Sequence, residues 1–485
     1  MLKFSRVLFS LIALFSLNAC NIELDNQSSE TKQPNILWIY VEDLSPDFAC
    51  YGNSIVNTPN VDALAKQGIM YTNMHMPAAV CSAVRSGIIT GLMPTTIGLH
   101  NHHSSRDLAS AIFLPDSIKT IPEIFKEHGY YTFNHGKDDY NFWYERRNLY
   151  SGAFRSIGMY GMQGLKNDWK ARKEGQPFFG QIQLYGNKHI YNSKFKSKVI
   201  RPIDPAKIEV PPYYPDSAFV RQDMADHLEC IELTDREVGD IITRLKEDGL
   251  LENTYIFFFS DHGMRLWRHK QFLYDAGTKV PFVLAYYGNN GVLQKGTVNN
   301  DLMSGLDIGT TTLGLANIDI PNYTEGQDFL SDNYQARDHV ISVRDRCDFT
   351  IDRIRSIRTK QFRYIRNYFP DRPYMQPNYR DEWIITQRMR YLSNAGQLNS
   401  SAASFWSEER PSEELYDVNA DPHQINNLAN NPDYAIQLNE LRTRLEEWVL
   451  STDDKGQYPE GDAGLKFMYQ RWSEQCVNPE YDKFK

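Results

Sequence analysis

The sequence predicts an α/β fold with a large, mainly parallel sheet between helices, followed by a smaller α+β domain with a short antiparallel sheet. Three observations predict it. Apolar runs of strand length alternate with amphipathic stretches over residues 34–337. Two of those runs end in acidic residues, at Glu42-Asp43 and at Asp261-His262, where open α/β sheets bind their ligands. From residue 338 to 485 the pattern changes to short segments with antiparallel spacing.

The elements follow in order. Residues 35–41 are nearly all apolar, as a central strand covered on both faces should be. Thr58-Pro59 places an N-cap residue before a proline at the first helical position, which opens a helix through Leu64 that stops at Gly68. Residues 82–90 are expected to form a helix directly after Cys81, and 121–128 a short one closed by Gly129. Strands are expected at 130–133, 178–184, 255–259 and 281–286. Between residues 224 and 245, Met224, Leu228, Ile231, Val238, Ile241, Ile242 and Leu245 recur mainly at three- and four-residue steps, which marks an amphipathic helix. In the smaller domain 340–343, 354–358 and 362–366 read as antiparallel strands, the last two joined through Thr359-Lys360. Leu438, Leu441, Leu445, Trp448 and Val449 mark a last helix.

Composition limits the function. A chain of 485 residues is too long for one small core. Its 41% hydrophobic and 23% charged residues are ordinary for a globular protein. A net charge of -9 argues against nucleic acid as a partner, since that needs a basic face. The 29 tyrosines suit sugar-stacking surfaces.

Lys3 and Arg6 precede an apolar run over 7–17 that is too short to span a bilayer and has the layout of a signal peptide. It ends in Leu17-Asn18-Ala19-Cys20, which resembles a bacterial lipobox with Cys20 as the lipidated residue. Residues 1–19 are then the signal peptide and 20–33 a polar tether. The expectation is an exported lipoprotein of the periplasm, outer membrane or cell surface, held to the membrane only by its lipid. Cys50, Cys81, Cys230, Cys347 and Cys476 remain, an odd number at wide spacings, so at least one thiol is unpaired.

Cys81 opens the segment Cys81-Ser82-Ala83-Val84-Arg85-Ser86-Gly87, followed by Thr90-Gly91. A helix starting there offers free N–H groups and a positive dipole end to an anion, with Arg85 one turn on along the same face. The segment resembles the sulfatase signature Cys-x-(Pro or Ala)-x-Arg, in which the cysteine is oxidised to formylglycine. The resemblance implies a hydrated aldehyde at residue 81 that attacks the sulfur of a sulfate ester, with Arg85 holding its oxygens.

Glu42, Asp43 and Asp261, with His262, form an acidic group whose charges repel one another unless a hard cation sits between them. The resemblance implies one Ca²⁺, with Mg²⁺ as the lesser alternative, bridging these residues to residue 81. Glu42 departs from the family, which usually has aspartate there. Gly136-Lys137 resembles the family's Gly-Lys-x-His segment, which makes Lys137 a sulfate ligand and puts Asp139 where a histidine is common. By the same resemblance His189 is the proton donor to the leaving alcohol and Lys270 a second sulfate ligand. His100, His102, His103 and Arg106 follow the nucleophile helix and are expected to rim the pocket, with Asp139 either neutral or paired to Lys137.

The resemblance runs from Pro34 to about Asn430 and includes Ile357-Arg358-Thr359-Lys360, Glu414-Leu415-Tyr416-Asp417 and Asp421-Pro422. It implies an alkaline-phosphatase-like fold and a carbohydrate sulfate as substrate. Candidates are ulvan, carrageenan and glycosaminoglycans. It also implies a formylglycine-generating enzyme or anaerobic maturase acting before export. Two other readings stand beside it: a phosphodiesterase or phosphonate hydrolase of the same superfamily, and a non-catalytic glycan-binding surface lipoprotein.

Overall fold

The first strand, β1 (Asn35–Val41), is buried at every position, and its side chains alternate between two cores. Ile36, Trp38 and Tyr40 pack into one, Leu37, Ile39 and Val41 into the other. That two-sided burial is the reason the run is apolar throughout. The computed structural model describes residues 33–152 and 168–485. The expected signal peptide, Cys20 and all but the last residue of the expected tether lie outside the described residues.

Seven further strands complete the large sheet: β2 (Gly68–His75), β3 (Tyr131–His135), β4 (Phe178–Leu184), β5 (Thr254–Ser260), β6 (Lys279–Tyr286), β7 (Thr297–Asn299) and β8 (Met303–Ser304). The order is β3-β4-β1-β5-β6-β2-β7, with β8 beside β2. Strands β3, β4, β1 and β5 run parallel, while β6 lies antiparallel to both β5 and β2. Strand β2 goes beyond the sequence expectation, which saw Gly68 only as the end of a helix. Gly68 is instead the first residue of that strand, and a Cβ there would meet the Leu284 carbonyl oxygen at 1.9 Å.

Helices cover the sheet: α1 (Pro59–Lys66), α2 (Cys81–Thr90), α3 (Ile121–Glu127), α4 (Ala218–Glu247) and α5 (Asp307–Leu315). Pro59 starts α1 as expected, but Thr58 does not cap it with its side chain. The Thr58 hydroxyl accepts from the Ala49 N–H instead, at 2.9 Å. Helix α2 is buried along its whole length.

The second sheet is antiparallel, in the order β12-β11-β10-β9. Its strands are β9 (His339–Arg344), β10 (Ile354–Thr359), β11 (Phe362–Asn367) and β12 (Glu413–Asp417). Asp275 ties it to the loop after β5 by accepting from Arg358 Nε at 3.0 Å and Arg363 Nε at 2.8 Å. The longer helices after β11 are α6 (Ile384–Asn394), α7 (Ala435–Ser451) and α8 (Asp462–Trp472). The periodicity predicted α7 but neither α6 nor α8. Among the described residues no helix is long and apolar enough to cross a membrane.

Candidate active site

Strands β1 and β5 are parallel neighbours with Val41 opposite Ser260, so the acidic residues that follow each strand emerge side by side. The Asp43 N–H donates to Asp261 Oδ1 at 2.9 Å, which locks the two loops together. Asp43 adopts φ +57°, a left-handed conformation that a non-glycine residue holds only where its surroundings demand it. Strand β4 flanks β1 on the other side. Behind its end Gly186 turns at φ +51°, and a Cβ there would meet the Glu42 carbonyl oxygen at 2.0 Å. The loop after β4 is thereby pressed onto the end of β1.

Helix α2 points its N-terminus at these loops. Its N-cap residue, Val80, has no side-chain acceptor, so its first N–H groups are not capped from within. Cys81 Sγ sits 3.2 Å from His262 Nε2, 3.3 Å from Lys270 Nζ, 3.7 Å from Glu42 Oε2 and 3.9 Å from Asp43 Oδ1. Burial alone would raise the thiol pKa, but the Lys137 and Lys270 charges bring it down to about 5.

Asp43, Cys81, Asp261 and His262 each offer one atom, and these lie within 4.8 Å of one another, which is a cation-sized arrangement. Two observations fit a bound metal. Asp261 Oδ2 is buried and has no hydrogen-bond partner among the described residues. Burial, then the charge of Glu42, pushes the Asp261 carboxyl up to about 7, as happens when acids are crowded without a cation among them. His262 Nδ1 lies 2.8 Å from the Gly263 carbonyl oxygen, which leaves Nε2 facing the cluster as a ligand nitrogen. Glu42 stands beside this group with its carboxylate engaged by Arg85, by Lys188 and, at 3.1 Å, by Lys137.

Arg85 is buried, donates to Gln183 Oε1 at 2.8 Å and lies over the Tyr40 ring at 4.1 Å. Lys137 reaches Asp139 at 3.0 Å, and Asp139 also accepts from Arg106 at 2.6 Å. Asp139 therefore pairs with two cations. Lys270 holds Asp43 at 2.9 Å. Burial would lower the pKa of all three lysines near Cys81, but the surrounding carboxylates keep them well above the ordinary value, so each is a fixed positive charge.

The side chains at Cys81 form the floor of a cavity of about 330 Å³. Its walls come from His102, His103, Tyr191, Asp348, Tyr379, Trp383, Arg471 and Trp472. The His102 and His103 rings stack at 3.7 Å, and their Nδ1 atoms face Asp348 at 3.2 and 2.8 Å. A ring nitrogen of His102 also lies within 4.8 Å of both Cys81 Sγ and an Asp139 oxygen.

Two expected site residues are elsewhere. His189 does not line this cavity: its Nε2 lies 3.3 Å from Glu237 of α4 and its ring packs on Tyr185 at 5.1 Å. The loop after β4 is a 3-10 turn, Gly186–Tyr191, in which Lys188 rather than its neighbour faces the cavity. His100 faces a second cavity, beside Asp345, Arg353 and Tyr368. Sequence reasoning missed Lys188, Asp348, Tyr379, Trp383 and the Arg471-Trp472 pair. For Lys188 the signal was present, a lysine just past a strand end; the others carried none.

Comparison with known proteins identifies the family. The Sulfatase family model matches residues 34–318, and the model for the N-sulphoglucosamine sulphohydrolase C-terminal region matches 262–375. An ulvan-active sulfatase of Formosa agariphila is 31% identical over 474 residues, covering 89% of this chain and 77% of that protein. A second ulvan-active sulfatase of that organism is 27% identical over 447 residues, covering 89% and 83%. The solved structure of a 2-O GAG sulfatase shares the fold, with a TM-score of 0.64 at 19% identity over 88% of this chain and 94% of that one. The buried Cys81 at the start of α2, ringed by lysines and carboxylates, thus lies within the matched region, and the chain belongs to the sulfatase family of sulfuric ester hydrolases.

Proposed function

We propose that the chain removes sulfate from a sulfated polysaccharide of the ulvan type, with Cys81 converted to formylglycine and one Ca²⁺ in the carboxylate cluster. The observation that carries this reading is the setting of Cys81, 3.3 Å from Lys270 and beside three acidic side chains, in a chain 31% identical to an ulvan-active sulfatase.

Asp43, Asp261, His262 and residue 81 would hold the cation, and oxygen-rich ligands suit Ca²⁺. Bound there, it would neutralise the acids and polarise a sulfate oxygen. As a hydrated aldehyde, residue 81 supplies one hydroxyl to attack sulfur and a second whose deprotonation lets sulfate leave. The chain's own side chains do the rest. Lys137, Lys188 and Lys270 hold the sulfate oxygens with fixed charges in a largely water-excluded floor. Glu42 keeps Arg85, Lys137 and Lys188 in place.

His102 gives the proton to the departing sugar oxygen, the role the sequence assigned to His189. Burial lowers the His102 pKa, while Asp348 beside it favours the protonated ring. A bound sulfate adds negative charge next to the ring and favours that form further.

The protein reaches its substrate as an exported lipoprotein attached through Cys20, after a maturase has acted on Cys81. The test is to express the full chain with a formylglycine-generating enzyme and offer it ulvan, carrageenan and glycosaminoglycans. Free sulfate from ulvan, together with an aldehyde mass at residue 81, is the expected result. Sulfate released from none of the polysaccharides by aldehyde-bearing protein would refute the reading. Chelation should stop turnover and lower the melting temperature, because a cation bound at 100 times its Kd stabilises the folded state by about 2.7 kcal/mol.

A further inference from the structure

Four flexible cations line the cavity, and three of them are committed. Lys137 is shared by Glu42 at 3.1 Å and Asp139 at 3.0 Å, Lys188 sits on Glu42, and Lys270 is 2.9 Å from Asp43. The fourth is Arg471, in the last turn of α8. No carboxylate among the described residues pairs with it, and its one close aromatic neighbour is the adjacent Trp472 ring at 5.5 Å. It is exposed at the cavity mouth, where an unpaired guanidinium is hydrated and free to take an anion.

Its surroundings narrow the ligand. The same wall carries Trp472, and Trp383 stands with Tyr191 at 5.7 Å and Tyr379 at 5.8 Å. Flat apolar faces at the mouth of a charged cavity suit a sugar ring. A volume of about 330 Å³ lies at the lower end of the range for small-molecule sites. It holds a sugar ring and its substituents, not a length of chain. An anion at Arg471 therefore belongs to the sugar that carries the scissile sulfate or to the next one.

We propose that Arg471 binds a second acidic group on the substrate, a carboxylate or another sulfate, so that the enzyme selects polyanionic sugars over sugars bearing the scissile sulfate alone. The proposal rests on the polysaccharide reading above and adds the chemistry of the neighbouring position. A planar guanidinium meets either group with two parallel hydrogen bonds, and Arg471 adds selectivity without touching the reacting sulfur. Both Arg471 and Trp472 lie beyond residues 34–318 and 262–375, so neither family model covers this contact.

The experiment compares two substrate pairs. One is a sulfated oligosaccharide containing uronic acid, and the same material after chemical reduction of its carboxylates to alcohols. The other is a disulfated neutral oligosaccharide and its monosulfated counterpart. Para-nitrophenyl sulfate serves as the reference.

The wild-type protein should show a KM roughly tenfold lower for the more acidic member of at least one pair, the scale of one charge-assisted contact. The Arg471→Gln variant should bring that ratio close to one with kcat little changed, and Arg471→Lys should restore part of it. The pair that responds identifies the acid. A wild-type ratio near one in both pairs, or a preference that survives Arg471→Gln, overturns the proposal. Failure of the polysaccharide reading looks different: the wild-type protein then cleaves para-nitrophenyl sulfate but none of the oligosaccharides, and the proposal fails with it.

Discussion

At the floor of the cavity Lys270 is buried, and Lys137 and Lys188 keep only 9% and 18% of their side-chain surface exposed. At the wall, Arg471 is exposed and Trp383 and Trp472 are half-buried. The floor comes from the ends of β1, β3, β4 and β5 and the start of α2, all within residues 34–318 matched by the family. Much of the wall comes from residues 379–472, beyond both matched ranges. A reacting sulfate needs fixed charges that do not reorganise, and buried, mutually paired side chains supply them. Selection among sugars needs contacts that can differ between relatives, and exposed loop and helix-end residues can change without disturbing the sheet.

The largest effect should come from the floor. Cys81→Ala removes the proposed nucleophile and should lower sulfate release by at least about 10⁴-fold on aryl and sugar sulfates alike. An equal, near-total loss on both confirms that the floor acts before any selection by the wall; a residual rate within a hundredfold of wild type would deny Cys81 that role.

His102 joins the two regions, and its loss should separate the substrates. His102→Ala should cost about 10²–10⁴-fold on a sugar sulfate and far less on para-nitrophenyl sulfate, whose leaving group needs no proton. His189→Ala should not show that split, because its ring lies against Glu237. The opposite pattern would return the role of acid to His189.

The charge of the floor can be read directly on protein whose Cys81 is an unmodified thiol. With its pKa lowered to about 5, the Cys81 thiol is ionised at pH 7 and loses its reactivity as pH falls through 5. A free cysteine is only a few per cent thiolate at pH 7, so Cys81 carries about 30-fold more of the reactive form. Iodoacetamide labelling followed by peptide mass spectrometry from pH 4 to 9 should place its midpoint near 5. A midpoint above 8 would mean that the lysines do not dominate the site.

The smallest effect belongs to the wall. Trp383→Ala should raise KM for an oligosaccharide by several-fold, the scale of one stacking contact, with kcat nearly unchanged. A fall in kcat instead would place Trp383 with the floor.

The sequence was most legible where burial is complete. Strands β1, β4 and β5 are buried at every position, and a run such as Tyr255-Ile256-Phe257-Phe258-Phe259 is what a strand covered on both faces requires. Cys81, Asp43, Asp261 and His262 were legible because each follows a strand end or opens a helix, so chain position fixes spatial position. Strand β2 was hidden because Thr72 and Asn73 interrupt its apolar character. Both bond to Asn300, at 2.6 and 2.9 Å. Lys188 and His189 show the limit most clearly. In a 3-10 turn, successive side chains leave in different directions, and a reading that is right about the loop can choose the wrong residue. Asp348 and Arg471 reach the cavity through tertiary packing alone, which no local pattern encodes.

Cys81 is 2% exposed and begins a helix buried along its whole length. A small reagent can enter the cavity and reach it, but the active site of another protein cannot close around it once α2 has packed against the sheet. Any enzyme that alters this residue must therefore act before the chain folds. On the proposed conversion of Cys81, folding becomes the deadline for activation: a chain that folds quickly would keep its thiol, and the yield of active protein would depend on a race between two rates rather than on an equilibrium.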